Sequence, residues 1–446
     1  MKTQFNRSAI SYTMLFVFIA FGCKKETKPT IKSDSPKSIM SFVFSKDNNS
    51  SLNYNLNTIV DTVAHTVVAS VPSNFDVTAL KANFQTSPNT TVKVSTDTQI
   101  SGVTANNFSK TIVYTIVAQD NSKQDYNVTV SILPANLNIY ISGFEESDFN
   151  ASENTVKYWK DGVATSLTNG IHYDYAGNIA VAGSDVYVLG QINDFGYQSS
   201  YWKNGKATLL RYGAQQTVGE ASGMTSSGGN IYFAGTDSLG NNSGYWKNGI
   251  FTNIGTPNSF FPHPITVNGA DVYVGGNAIP SGTPCYWKNG TFVNVAVPVN
   301  NYVVNGIATN GTDVYLLGMD FVNTKVMCWK NGIVFNLLDA NVVNGIAMVG
   351  NDVYVVGDTY NNSTSRFVAC YWKNGGAAIP LTDGTKDAQA TAICVNGSNF
   401  FIVGFEASDN SSEPTTVVAK YWINGTGQVS ISSGTDVVYP TGIFVQ

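Results

Sequence analysis

The pentapeptide Tyr-Trp-Lys-Asn-Gly, at residues 286–290, decides the fold of this chain of 446 residues. The motif or a close variant surrounds all seven tryptophans, which lie 41 to 50 residues apart: Trp159, Trp202, Trp246, Trp287, Trp329, Trp372 and Trp422. Such a period is typical of repeat folds. Asn-Gly between strand-forming residues predicts a β-hairpin, because both residues tolerate the positive φ of a type I′ turn. Each motif therefore ends one strand and begins another.

A second element precedes each tryptophan and is typical of a buried strand that ends in glycine. Its seven copies span residues 138–143, 185–190, 230–235, 271–276, 313–318, 352–357 and 399–404. A shorter strand precedes each of the last six and carries a small residue at one register: Ala180, Thr225, Thr266, Ala308, Ala347 and Cys394. Small residues are expected where strands crowd towards a central axis. Four strands per repeat are predicted.

The last five residues, Gly442 to Gln446, have the pattern of the inner strand that the first repeat lacks. Strands from both ends of the chain would then share one sheet, which removes the exposed edges of an open array. We predict an all-β chain in which residues 135–446 form a seven-bladed β-propeller closed by the C-terminal strand. The glycine-ended strand, followed by Tyr and Trp, resembles kelch-type propellers.

Residues 38–133 are a separate module with alternating apolar and polar positions, as in Ile39 to Phe44, and predict a small β-sandwich. Several of its stretches resemble an uncharacterised immunoglobulin-like domain common in surface lipoproteins: residues 67–72, 78–80, 108–110, 114–120 and 126–130. The resemblance implies that the module is a spacer.

Residues 1–23 indicate an export signal, because two basic residues precede an apolar run that is too short to span a bilayer. The run ends in Gly22-Cys23, which resembles a bacterial lipoprotein signal and implies lipidation of Cys23. Ala20-Phe21-Gly22 also suits ordinary signal cleavage. Residues 24–37 are polar and predict a disordered tether. The expected location is the outer membrane, lipid-anchored, at the cell surface.

Composition excludes several classes of function. The 25 basic and 30 acidic residues form no long run of one sign, which disfavours nucleic acid as a partner. Three histidines give poor support for a Ser-His-Asp or multi-histidine zinc site. The repeat positions of Cys285, Cys328, Cys370 and Cys394 separate them too widely for disulfides, so free thiols are expected.

Both classes of longer connection are expected on one face of the propeller, and loops held by a rigid scaffold usually carry binding residues. The candidate ligand residues of that face are the aromatic residues Tyr173, Tyr175, Tyr197, Tyr212, Phe260, Phe261, Tyr302 and Tyr360. Repeats one and seven add acidic residues in a shared Phe-Glu-x-Ser-Asp sequence: Glu145, Asp148, Glu406 and Asp409. These carboxylates could bind Ca²⁺ or form a glycosidase pair, although a solvated rim is the simpler interpretation.

The leading hypothesis is a surface lipoprotein without catalytic activity, whose loop-rich face binds an extracellular glycan or protein. It needs no cofactor other than an optional Ca²⁺. The alternative is a carbohydrate-active hydrolase or lyase that uses the acidic cluster. A third possibility is a structural spacer without a ligand, which a flat loop face would favour.

Replacing Cys23 by Ser should release the protein from the membrane fraction, because one lipidated cysteine and a polar tether offer no other anchor. Fractionation of cells that express the wild type and Cys23→Ser measures the effect. Unchanged fractionation of the variant would contradict lipid anchoring.

Overall fold

The computed structural model describes residues 36–52, 55–71, 73, 75–134, 137–146, 153–192, 198–212, 217–237, 242–254, 260–278, 281–295, 302–320, 325–335, 340–407, 416–432 and 437–446. Within these ranges the secondary structure consists of β-strands, β1 to β40, which confirms the all-β class. None of the described segments is a helix long and apolar enough to cross a membrane. Cys23 and the residues predicted as signal and tether up to residue 35 lie outside the described part.

The N-terminal strands form two sheets around one core. They are β1 Ile39–Phe44, β2 Leu56–Asn57, β3 Ile59–Asp61, β4 Thr66–Val71, β5 Leu80–Lys81, β6 Asn83–Thr86, β7 Thr90–Val94, β8 Asp97–Thr98, β9 Ala105–Asn106, β10 Ile112–Ala118 and β11 Lys123–Ile132. Two sheets, in the orders β2-β1-β6 and β3-β4-β11-β10-β7-β8, accompany the short pair β5-β9. Phe44, Tyr114 and Tyr126 are buried in one core between the two sheets.

Each of the seven sequence repeats forms a small antiparallel sheet. Repeat 1 contains β12 Ile139–Glu146, β13 Asn154–Lys160 and β14 Val163–Ser166, and repeat 2 contains β15 Tyr175–Ala182, β16 Asp185–Ile192, β17 Gln198–Lys203 and β18 Lys206–Leu209. Repeat 3 contains β19 Arg211–Tyr212, β20 Thr217–Ser227, β21 Asn230–Asp237, β22 Ser243–Lys247 and β23 Ile250–Asn253. Repeat 4 contains β24 Phe260–Asn268, β25 Asp271–Ala278, β26 Thr283–Lys288 and β27 Thr291–Asn294. Repeat 5 contains β28 Tyr302–Thr309, β29 Val314–Asp320, β30 Lys325–Lys330 and β31 Ile333–Phe335. Repeat 6 contains β32 Val342–Val349, β33 Asp352–Asn361, β34 Arg366–Lys373 and β35 Ile379–Pro380. Repeat 7 contains β36 Ala388–Asn396, β37 Asn399–Ala407, β38 Val417–Ile423 and β39 Thr426–Ser430.

The final strand, β40 Val437–Val445, pairs antiparallel with β12, and Ile443 lies opposite Ile141. This is the pairing that the C-terminal pattern predicts. A single parallel bridge from Val417 to Val437 also joins the sheet of repeat 7 to β40. The inner strands contact one another in the order β40, β15, β20, β24, β28, β32 and β36, and β36 contacts β40 again. The repeats are thus arranged as in a β-propeller.

The hairpin turns have the geometry that Asn-Gly predicts. In repeat 4, Asn289 has φ 49° and Gly290 has φ 82°. The Asn289 Oδ1 accepts a hydrogen bond of 2.9 Å from the backbone N–H of Val272, at the start of the second strand. In the other repeats, the Oδ1 of the turn Asn or Asp accepts an equivalent hydrogen bond from a backbone N–H of the second strand. The donors are Ile139, Val186, Ile231, Val314, Val353 and Phe400. The motif therefore fixes three strands at once.

The tryptophans of the motif are core residues, and none is more than 5% exposed. Trp287 of repeat 4 packs in one cluster with Tyr232 of repeat 3, so adjacent repeats share their cores. This confirms that the repeated aromatic residues serve packing between sheets. Cys285, Cys328, Cys370 and Cys394 are free thiols, as the sequence predicts.

The hairpin of repeat 7 contacts the N-terminal module. Ser70 of β4 donates its backbone N–H to Thr426 Oγ1 at 2.8 Å, and Val429 packs against the sandwich core. At the position where the other repeats carry Lys, repeat 7 has Ile423, which is fully buried. An apolar residue suits this position because the module excludes the water that a lysine ammonium requires. The sandwich is therefore attached to one repeat by specific contacts.

Deleting Ile443 to Gln446 should strongly destabilise the repeats, because Ile139 to Ile141 of β12 would lose their inner neighbours and the sheet edges at the lost segment would be exposed. Burial of a side chain such as Ile443 contributes about 1.5 to 3 kcal/mol. Thermal melting of a chain beginning at Ser33 measures the effect, and a deletion of residues 33–35, outside the predicted strands, is the control. Equal melting temperatures for full-length and C-terminally truncated protein would contradict a structural role for β40.

Candidate functional site

The inner strands of the repeats surround a cavity of about 930 Å³. The small residues that the sequence assigns to a central axis all line it: Ala180, Thr225, Thr266, Ala308, Ala347 and Cys394. Their short side chains leave space between the strands, so the axis of the repeats holds a cavity instead of a packed core. Residues of several repeats converge on this cavity, which makes it the candidate site.

Four aromatic residues line the end of this cavity where the longer connections lie, and we refer to Phe144, Tyr175, Phe405 and Tyr439 as the aromatic mouth. The ring centroids of Phe144 and Tyr175 are 5.9 Å apart, and those of Phe144 and Tyr439 are 5.5 Å apart. Phe405 and Tyr439 are 5.1 Å apart and nearly perpendicular. The four rings form one continuous series across repeats 7, 1 and 2.

Glycines bring the strands of the mouth close together. A Cβ atom on Gly143 would lie 2.4 Å from the carbonyl oxygen of Tyr439, and one on Gly404 would lie 2.1 Å from that of Gln389. Only glycine allows such an approach without displacing the backbone. The next residue along the strand is Phe144 in one case and Phe405 in the other. The glycine that ends the buried strand thus also positions an aromatic residue at the cavity.

Polar groups accompany the rings. Burial raises the pKa of the Tyr175 and Tyr439 hydroxyl groups above the ordinary value of 10.0, so both remain protonated and can donate hydrogen bonds at neutral pH. Gln389 lines the cavity and donates to Asp358 at 2.6 Å. Burial raises the pKa of the Asp358 carboxyl. The mouth therefore combines apolar ring faces with a few fixed polar groups.

The aromatic residues predicted for the ligand face differ in exposure in the structure. Tyr175 belongs to the mouth and is 43% exposed, and Tyr173 and Tyr360 are also exposed. The prediction for Tyr302 is wrong: it is 3% exposed and packs edge-on against Trp329, because it lies one register position away from the mouth residues and its side chain leaves the other face of β28. Three other predicted residues, Tyr212, Phe260 and Phe261, lie in strands β19 and β24. Their side chains are outside the part that the structure describes. Tyr197 lies outside the described residues.

The two acidic candidates that the structure describes, Glu145 and Glu406, each form an ion pair with a lysine. Glu145 accepts a hydrogen bond from Lys157 Nζ at 2.6 Å, and Glu406 forms an ion pair with Lys420. Glu145 pairs in register with Val438, Glu406 pairs with Val418, and the adjacent Val417 bridges to Val437. A glycosidase pair needs one carboxyl group that donates a proton, which the two lysine-bound carboxylates do not favour.

Asp148 and Asp409, the other two acidic candidates, lie outside the described residues. In the part of the chain that the structure describes, no three His, Cys, Asp or Glu side chains are grouped closely enough to hold a metal ion. The Ca²⁺ hypothesis, which depends on those two aspartates, stays a prediction.

Sequence reasoning missed Tyr439, Lys157 and Lys420, and it assigned Phe144 and Phe405 no role of their own. The shared Phe-Glu sequence of repeats 1 and 7 was the available signal, because each of these repeats also carries Lys two residues before its Tyr-Trp tryptophan. Other repeats have Ser200, Gly244, Cys285, Met327 and Cys370 at that position. The Glu and the Lys therefore occur together.

The N-terminal module has a known relative. Residues 39–130 match the family SGBP, N-terminal. SGBP denotes surface glycan-binding proteins, and the match spans the sandwich strands and none of the repeats. No curated protein matches the chain.

The chain also resembles solved structures at low identity. A DUF4623 family protein from Bacteroides eggerthii is 12% identical, with 88% of this chain and 98% of that chain covered and a TM-score of 0.32. The β-propeller domain of the Trilobed protease from Pyrococcus furiosus is 11% identical, with 73% and 92% covered and a TM-score of 0.41. The fold assignment accordingly rests on the strand pairing described above.

Replacing Lys420 by Met should cost about 3 to 5 kcal/mol of unfolding free energy, because Glu406 would be left largely buried without a partner. The double variant Glu406→Gln, Lys420→Met should recover most of the loss. Chemical denaturation measures both.

Lys373→Met is the matched control, since Lys373 is exposed in its ion pair with Asp352 and should cost less than about 1 kcal/mol. A cost for Lys420→Met no larger than that of the control, or no recovery in the double variant, would contradict a structural role for the buried pair.

Proposed function

We propose that this chain is a surface glycan-binding protein whose propeller binds a glycan at the aromatic mouth. The observation that carries the proposal is the series of four linked rings at the opening of the central cavity. The match of residues 39–130 to the N-terminal family of SGBP supports a glycan as the ligand. An extracellular protein ligand remains the second partner class that the loop-rich face suits.

The chemistry of the mouth suits a sugar ring. One side of a pyranose presents mainly C–H groups, which pack on aromatic faces, while its hydroxyl groups need hydrogen-bond partners. Phe144 and Phe405 supply the faces, and the protonated hydroxyl groups of Tyr175 and Tyr439 supply donors. Mostly apolar sites with a few fixed polar groups are typical of small-molecule recognition. The cavity below the mouth gives a sugar chain room to enter.

A second exposed pair of rings extends the face. Tyr360 and Phe367 lie on the long hairpin of β33 and β34, with ring centroids 5.3 Å apart. Asp387 fixes this hairpin, because it accepts hydrogen bonds from the Phe367 backbone N–H at 2.8 Å and from Arg366 at 2.7 Å. Asp387 directly precedes β36, which pairs with the strand that carries Phe405. The two aromatic surfaces therefore share a rigid frame and suit a ligand longer than one sugar.

The proposed scaffold is a seven-bladed propeller closed by β40, with kelch-like glycine-ended strands. Its support is the pairing of β40 with β12 and the contacts that follow the inner strands from β40 round to β36 and back. The pairing of β40 with β12 covers the inner edge of the sheet of repeat 1, so only short outer strands remain as edges. A rigid scaffold of this kind keeps mouth residues from three repeats in one arrangement.

We further propose that acyl chains on Cys23 anchor the protein to the outer membrane, with the propeller at the cell surface and residues 24–37 as a tether. The sandwich would then hold the propeller away from the membrane through the contacts of Ser70 with Thr426. The hydrolase alternative receives little support, because Glu145 and Glu406 are each bound to a lysine. The spacer alternative would leave the aromatic mouth without a role.

The test is glycan-array screening of a soluble chain that begins at Ser33, followed by calorimetric titration of the best ligand. Tyr175→Ala should weaken binding at least tenfold, or about 1.4 kcal/mol, because it removes an exposed ring of the mouth. Phe292→Ala is the matched control: Phe292 is similarly exposed, at 47%, but lies on β27 outside the mouth. Equal binding by the wild type and Tyr175→Ala, or no glycan bound by the wild type, would contradict the proposal.

A further inference from the structure

A second cavity, of about 470 Å³, lies between repeats 3 and 4 on the face of the short hairpins, away from the aromatic mouth. We call it the interrepeat cleft. Tyr232, Tyr245 and Lys247 of repeat 3 line one side, and Val272 and Asn289 of repeat 4 line the other. The rings of Tyr232 and Tyr245 have centroids 6.4 Å apart. The cleft therefore presents two phenol rings and an ammonium group.

The corresponding position between repeats 6 and 7 shows what would fill such a cleft. There Phe400 lies beside the equivalent tyrosines, with ring centroids 4.4 Å from Tyr354 and 5.5 Å from Tyr371. Val272 stands in repeat 4 where Phe400 stands in repeat 7. The smaller side chain leaves the place of the Phe400 ring open beside Tyr232 and Tyr245.

The charge of the cleft also differs from that of repeats 2, 4, 5 and 6. In repeats 2, 4, 5 and 6 the lysine of the motif is paired with an aspartate at the start of the second strand: Lys203 with Asp185, Lys288 with Asp271, Lys330 with Asp313 and Lys373 with Asp352. Repeat 3 has Asn230 at that position, and its Oδ1 accepts from Asn248 at 2.7 Å. Among the described residues, no carboxylate lies within ion-pair distance of Lys247.

Lys247 keeps the position of its counterparts even without the carboxylate. Its Nζ lies 5.5 Å from the centroid of the Tyr232 ring, as in the other repeats where lysine covers this tyrosine. The ammonium group is therefore held at the edge of the cleft without the aspartate partner that its counterparts have, so it can pair with an incoming anion.

We propose that the interrepeat cleft binds a ring-shaped ligand with one anionic group, namely an acidic sugar residue. The ring occupies the space that Phe400 fills between repeats 6 and 7, and the carboxylate or sulfate pairs with Lys247. The ring and the anion follow from the cleft alone, whereas the choice of a sugar rests on the proposed glycan-binding function. This site would let the protein hold acidic glycans on a face that the mouth does not use.

Two substitutions test the site without removing Lys247. Asn230→Asp installs the carboxylate that four other repeats carry, so the fold should be kept while Lys247 is neutralised. Val272→Phe installs the ring that repeat 7 carries, so the cleft should be filled while the charge is kept. Either variant should weaken binding of glucuronate at least tenfold in calorimetric titration. Lys330→Gln, in an ion pair of repeat 5, is the control and should bind as the wild type does.

The ligands in the titration separate the sources of the anion and the two sites. Glucuronate and glucose 6-sulfate compare carboxylate with sulfate, and glucose should bind at least tenfold more weakly than whichever anion is preferred. Tyr175→Ala should leave this binding unchanged even if it abolishes binding of a neutral glycan at the mouth. Failure of the wild type to prefer either anion over glucose, or equal binding by Asn230→Asp and Val272→Phe to that of the wild type, would overturn the proposal.

Discussion

One hydrogen-bonded side chain in each hairpin holds the repeat together. Asn289 shows the arrangement: its backbone N–H donates to the carbonyl of Val272 at 3.0 Å, its Oδ1 accepts from the N–H of the same residue, and its Nδ2 donates to Asp271 at 2.6 Å. The turn between the third and fourth strands is thereby tied to the second strand. Few residues other than Asn, Asp and Gly tolerate the positive φ that this position requires. The buried tryptophan two residues earlier is fixed by the same turn.

An aspartate, a lysine and a tyrosine surround this asparagine and complete a network of polar contacts. Individual repeats carry other residues at some of these positions, where they contact the sandwich or line a cleft. Exposed ion pairs contribute little to stability, so these positions can change without loss of the fold. Repeat 7 replaces the lysine by Ile423, which is buried where the sandwich is attached. Repeat 3 replaces the aspartate by Asn230, which leaves Lys247 beside a cleft. Departures from the repeat therefore mark the individual surfaces of an otherwise uniform scaffold.

The glycine at the end of each buried strand has a comparable double effect. The inner strand passes so close that a Cβ atom on Gly235 would lie 1.8 Å from the carbonyl oxygen of Glu220. The residue after the glycine then reaches towards the next repeat. In repeat 4 it is Asn277, which accepts from the N–H of Val304 at 2.9 Å, and in repeats 1 and 7 it is the phenylalanine of the mouth. One position thus serves either cohesion between repeats or the candidate site.

The sequence alone determined the strands, the hairpins, the small residues around the axis and the partner of the C-terminal strand, because each follows from local turn chemistry or from the repeat. It did not determine which aromatic residues face the cavity. Tyr175 and Tyr302 each begin an inner strand, but Tyr175 pairs with the residue one past the strand glycine and Tyr302 with the residue two past it, so Tyr175 lines the mouth and Tyr302 is buried against Trp329. The lysine partners of the two glutamates likewise come from the adjacent strand. Only tertiary structure decides such contacts, since a side chain's exposure depends on the neighbouring strands and repeats that cover it.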